Sequence, residues 1–237
     1  MLITTADAGT GCPRSTHVDC RRSGSGYLAY APDVDSPWYE DLLVSPQATL
    51  EIDGRPHAAR AVPLDGGDRG VALYLLEIDA ARGRAIADQL LVHHGELRKA
   101  LAAARAELDG VPIVGLPGLR RELLGHCVTF CNGLRMHHLR EDGAFTAIEK
   151  AHPGLAPTLN RLREEHETVS HALLDLDELL QGKGELESAA LREEFERVAN
   201  GLEEHFAYEE ANLLPALRAT AHGRPERPLL SQLGNEP

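Results

Sequence analysis

The sequence predicts an α+β protein: a small β-rich N-terminal part followed by an up-down-up-down bundle of four helices. Three observations predict it. Residues 1 to about 64 alternate short apolar or β-branched runs with Gly/Pro turns. From about Gly70 the apolar spacing lengthens to a helical period, broken by Gly and Pro. Aromatic residues are 4% of a chain that is 43% hydrophobic, so Leu, Ala and Val must build the core, which suits packed helices.

In chain order, Leu2 to Thr5 is a short β run and AGTGCPR a turn, punctuated by Gly9, Gly11 and Pro13. Ser15 to Arg21 reads as a second strand and Gly26 to Ala31 as a third. Ser36 followed by Pro37 reads as an N-cap and first helical position, with acids in the first turn. Gln47 to Ile52 alternates as a strand should. Asp53-Gly54 is a hairpin signal, and Arg55 to Leu64 is the returning strand. Long helices are expected over Ala80 to Leu108, Arg120 to Lys150, Leu159 to Leu180 and Leu186 to Thr220. Between them lie the Gly/Pro linker 109–118, the break 152–157 and QGKG. The expected division is 1–69, 70–222 and a disordered tail, 223–237.

A net charge of −13 argues against binding nucleic acid through a general basic surface. No apolar run reaches the roughly 18 residues of a membrane span, and the first residues lack the basic start and apolar core of a signal peptide. A cytoplasmic protein with reduced thiols is expected. Cys12, Cys20, Cys127 and Cys131 have no CxxC spacing and frame no zinc site.

The stretch His126 to Asp142 places His126, His137 and Glu141 on one helix face, a polar stripe that is costly to bury unpaired. Eight of the twelve histidines fall in the four helices. With antiparallel neighbours and a rise of about 1.5 Å per residue, His94, His137, His166 and His205 come to roughly one level. Glu141 follows His137 by four residues, and Glu209 follows His205 by four. Facing side chains within a bundle are where such folds build metal sites. Imidazole and carboxylate without thiolate favour iron, manganese or zinc. Two ions sharing carboxylates would use the whole set.

HHGELR (93–98), HHLRED (137–142), REEHETV (163–169) and HFAYEEANLLPAL (205–217) resemble the hemerythrin family in its HHE cation-binding form. The resemblance implies a non-haem di-iron centre, two Fe ions with an oxo or hydroxo bridge, held by His94, His137, Glu141, His166, His205 and Glu209. The oxygen-carrying members have a further histidine four residues after the third-helix one, where this chain has Ser170. His138 is an alternative donor, His171 lies one residue out of phase, and Glu210 competes with Glu209. His126 and Tyr208 are expected beside the centre as packing, hydrogen-bonding or proton-relaying groups.

TGCPR (10–14), PWYEDLL (37–43) and the hairpin VSPQATLEIDGR with its returning HAARAV look like the deazaflavin-dependent nitroreductase family, a split β-barrel. That resemblance covers about 65 residues. It implies a deazaflavin or FMN held through Arg14 and Trp38, and a homodimer. Together the two halves suggest redox chemistry on dioxygen, peroxide or nitric oxide, with the flavin as electron source. The alternative is a non-catalytic oxygen or iron sensor whose barrel only dimerises it.

Overall fold

The computed structural model describes residues 1–32, 35–65, 69–109, 117–181 and 188–219, with the backbone alone at 107–109, 117–131, 176–177, 179–181 and 188–191. The N-terminal half holds strands β1 (Leu2–Ala6), β2 (Pro13–His17), β3 (Cys20–Ser23) and β4 (Gly26–Tyr30), then helix α1 (Pro37–Val44) and strands β5 (Gln47–Ile52), β6 (Arg55–Pro63) and β7 (Gly70–Leu75). All neighbours pair antiparallel, in the order β2-β1-β5-β6-β7-β4-β3. The sheet is compatible with a split barrel. Its core gathers Ile3, Leu50 and Leu73 with Trp38 and Leu42 of α1.

Two expectations change. Ser15 to Arg21 is not one strand. It breaks after His17, and the two pieces lie at opposite edges of the sheet. Val18 packs into the core there, and its N–H donates to the Met1 carbonyl. Secondly, Gly70–Leu75 is a strand of the sheet, pairing with both β4 and β6, so the β half runs on past Gly70. Its run GVALYL is apolar on both faces, and such a run does not declare its period. The hairpin turn is as expected. Asp53 and Gly54 both have positive φ, +52° and +71°, as a two-residue type I′ turn between Ile52 and Arg55 requires.

Four helices follow: α2 (Ala80–Asp109), α3 (Pro117–Ala151), α4 (Ala156–Gln181) and α5 (Ser188–Ala219), with one 3-10 turn at Pro153–Leu155. Most of the linker 109–118, most of QGKG and the tail from Gly223 lie outside the described residues. Each helix packs on two others, α2 on α3 and α5, and α4 on α3 and α5, which closes a four-helix ring. The pairings run antiparallel. Arg98 meets Glu203 and Arg105 meets Glu196, while Arg163 reaches back to Glu149. No described helix is long and apolar enough to cross a membrane.

Helix α3 also lies on the sheet. Thr146 Oγ1 donates to the Pro56 carbonyl at 2.6 Å, and Thr49 Oγ1 to the Leu139 carbonyl at 3.4 Å. Gly143 permits this approach, since a Cβ there would fall 2.9 Å from the Ala58 nitrogen. The sheet therefore touches the segment of α3 that carries His137 and Glu141.

Candidate metal centre

Between two apolar clusters of the bundle lies a layer of buried polar side chains. One cluster holds Leu101, Leu134, Leu202 and Phe206; the other holds Phe145, Ile148, Leu159 and Leu213. Between them, α2 supplies His94, α3 supplies His137, His138 and Glu141, α4 supplies His166, and α5 supplies His205 and Glu209. All seven are buried, and His94 and Glu209 are wholly so. Helical spacing accounts for the pairs: Glu141 and Glu209 each stand one turn beyond a histidine.

The inward atoms crowd together. His137 Nε2 is 3.0 Å from Glu141 Oε1, and His166 Nε2 is 3.5 Å from Glu141 Oε2. His94 Nε2 is 3.3 Å from Glu209 Oε2, and His205 Nε2 is 4.0 Å from it. Although close, none of these atoms has hydrogen-bond geometry. Nε2 of His94, His137, His166 and His205, both ring nitrogens of His138 and both oxygens of Glu141 and Glu209 are buried without a hydrogen-bond partner. Buried polar atoms are seldom left so, and bound cations would partner most of them. Two groups can hold an ion: His94, His137 and Glu141, and His138, Glu141, His166 and His205. Glu141 belongs to both.

Three of the outward nitrogens are each tied to a carboxylate from another helix. His166 Nδ1 meets Asp142 at 2.9 Å, His205 Nδ1 meets Glu165 at 2.9 Å, and His94 Nδ1 meets Glu210 at 2.8 Å. Glu210 is itself held by Arg98 at 2.8 Å. A carboxylate on Nδ1 keeps the proton there and leaves Nε2 as the donor atom. Stacking adds to the fixing. His138 lies 4.1 Å from His166 and nearly parallel to it, and Phe206 lies 4.3 Å from His94.

Without an ion this layer is electrostatically mismatched. Burial, with the imidazoles of His94 and His166 and the guanidinium of Arg140 nearby, pushes His137 down to about 3. Burial and four neighbouring imidazoles hold His138 well below its ordinary value. Burial raises Glu141 to about 7, and burial with the Glu141 charge raises Glu209. Burial opposes protonation of His94 and His166, yet their carboxylate neighbours raise both. Neutral imidazoles and ionised carboxylates are the forms that metals take. The donor set of nitrogens and oxygens, with no thiolate among the described residues, fits iron, manganese or zinc.

The structure places all six residues of the expected set in this layer, five of them in the two groups above and Glu209 against His94 and His205. It adds His138 to them, sends Glu210 to the outer layer, and leaves His171 exposed. Of the adjacent pair His93 and His94, it is His94 that turns inward. Tyr208 packs against the cluster of Phe145 and Leu213, with the Arg161 guanidinium 3.7 Å from its ring centre. The side chain of His126 lies outside the described residues, as do those of Cys127 and Cys131. Asp142 and Glu165 were not singled out from sequence. Their signal was there: each adjoins an inward residue, about 100° round its helix. In the sheet, Arg14 pairs with Asp7 and with Asp41, whose other partners are Thr5 and the Ala8 N–H. Trp38 is buried in the sheet core.

The family model of the hemerythrin HHE cation binding domain matches residues 85–217. The chain belongs to the hemerythrin family. The matched span covers all seven inward residues and the three carboxylates behind them. The sheet lies before the matched span. No curated protein and no solved structure matches the chain.

Proposed function

We propose that the bundle holds two iron ions and handles dioxygen, peroxide or nitric oxide by redox chemistry. The observation that carries this is the pair of donor groups sharing Glu141. One ion needs four donors or a few more, and five imidazoles with two carboxylates exceed that. Bound iron supplies Lewis acidity and an electron store that no side chain here offers.

The chain's own residues do the rest. Asp142, Glu165 and Glu210 orient the imidazoles. Phe145 and Phe206 lie against His166 and His94 and keep bulk water from two sides. A small molecule can reach the layer where cavities meet it. One, of about 610 Å3, is lined by His138, His166 and Ser170. Ser170 is a small group where oxygen carriers have an imidazole, which supports turnover of a small ligand over its storage. Metal content per chain with an absorption spectrum tests the centre. About two irons, with near-ultraviolet bands from an oxo bridge, is the expected result; a single zinc or no metal would sink it.

Electron supply from a flavin or deazaflavin at the sheet is a separable part of the proposal. Arg14 would have to exchange Asp7 and Asp41 for a phosphate, so Arg14→Ala should abolish coenzyme binding in a fluorescence titration. A second reading is a sensor that binds oxygen or iron without turnover, with the sheet joining two copies. Exposed Leu43, Val44 and Val62 support it. Turnover with reduced coenzyme and oxygen, lost in His137→Ala, separates the two readings.

A further inference from the structure

A cavity of about 390 Å3 lies between the sheet and the bundle, within the size of small-molecule sites. Leu75, Leu76, Ile86 and Leu90 give it an apolar wall. His137, Arg140, Glu141 and Ala144 line it from one face of α3, at the helical spacing of three, four and seven residues. Thus it opens directly onto two of the inward donors.

Arg140 is the feature the metal centre leaves unexplained. Its side chain is more than half buried, its Nε is enclosed without a hydrogen-bond partner, and no described carboxylate pairs with it. A guanidinium is always charged, and burying one unpaired is costly. Around it stand His93 and His137, which gain nothing from its charge. Arg60 and Arg82 line the same cavity, so the local field favours an anion.

We propose that this cavity binds an organic carboxylate with an apolar body, its head paired with Arg140 and its body against Leu75, Leu76, Ile86 and Leu90. A carboxylate matches the planar fork of the guanidinium with two parallel hydrogen bonds. The ligand then lies beside His137 and Glu141, which makes it a substrate or effector of the centre under the proposed function. The site itself is built by Arg140 and does not depend on metal.

Calorimetric titration of the full chain, metal-free and iron-loaded, with octanoate and its uncharged counterpart octanamide tests this. One octanoate should bind per chain in both preparations, with octanamide about tenfold weaker or worse. Arg140→Leu should reduce octanoate to the octanamide level, and Arg140→Lys should restore part of the difference. Gln89→Trp, at an exposed helical position on the cavity wall, should block both probes. No octanoate binding, equal affinity for the two probes, binding indifferent to both Arg140→Leu and Gln89→Trp, or binding confined to the iron-loaded protein would overturn the assignment. Iron content of the same samples is read separately, so a failed metal centre and a failed carboxylate site give different results.

Discussion

His94, His166 and His205 divide their ring nitrogens between two tasks, Nδ1 to a carboxylate and Nε2 to the centre. Removing the carboxylate should loosen the metal without removing a donor. Asp142→Asn, Glu165→Gln and Glu210→Gln are each expected to lower metal affinity by about 10- to 100-fold, measured by competition with a chelator. If the centre holds the proposed two irons, His138→Phe should reduce the content to about one per chain, whereas exposed His171→Ala should leave it unchanged. Glu141 gives a pH signature. Burial pushes its carboxyl up to about 7 in the metal-free fold, from an ordinary 4.5. The folded chain then holds the extra proton between those values, so its stability falls as pH rises through them. Metal-free Glu141→Gln should match the parent below 4.5 and become progressively more stable than it up to about 7, by denaturant titration. Metal affinity of the parent runs the other way, falling as protons compete below about 7.

Among the helices, the outer carboxylates form a relay. Asp142 of α3 serves α4, Glu165 of α4 serves α5, and Glu210 of α5 serves α2. Each sits next to an inward residue in sequence, and one residue of helical rotation turns it to the seam with the neighbouring helix. The relay thus couples helix packing to the orientation of the donors. Helix α3 is coupled in addition to the sheet, through Gly143 against Ala58. Gly143→Leu should cost about 1–3 kcal/mol by overpacking, read as a drop in Tm, and should weaken metal binding too, because Glu141 lies two residues away.

For the molecule as a whole, the sheet and the bundle meet where one face of α3 carries both donors and an unpaired Arg140. A partly buried cation with no counter-charge lowers stability, so Arg140→Leu should keep or raise the Tm of the metal-free protein while reducing octanoate binding to the octanamide level. Thermal unfolding followed by circular dichroism checks it. A homodimer is the assembly expected of the sheet. Sedimentation should show twice the 25.7 kDa chain mass, and Val44→Asp, at a position 68% exposed, should shift it toward the monomer.

The helical half was legible because its pattern is local. Periodicity placed four helices, HxxxE placed Glu141 and Glu209 a turn from His137 and His205, and equal distances from the turns brought four histidines to one level. The hairpin at Asp53-Gly54 was legible for the same reason, since two residues determine that turn. The sheet was less so. Its order depends on pairings between distant strands, and neither the break after His17 nor the seventh strand leaves a local signature. At the centre, sequence supplied the candidate donors but left His93 or His94, Glu209 or Glu210, and the place of His138 undecided. Adjacent helical residues differ by about 100°, and only the packing of four helices determines which of the two turns inward. The relay and the Arg140 cavity belong to tertiary structure alone, because each is made by residues from elements that sequence does not place side by side.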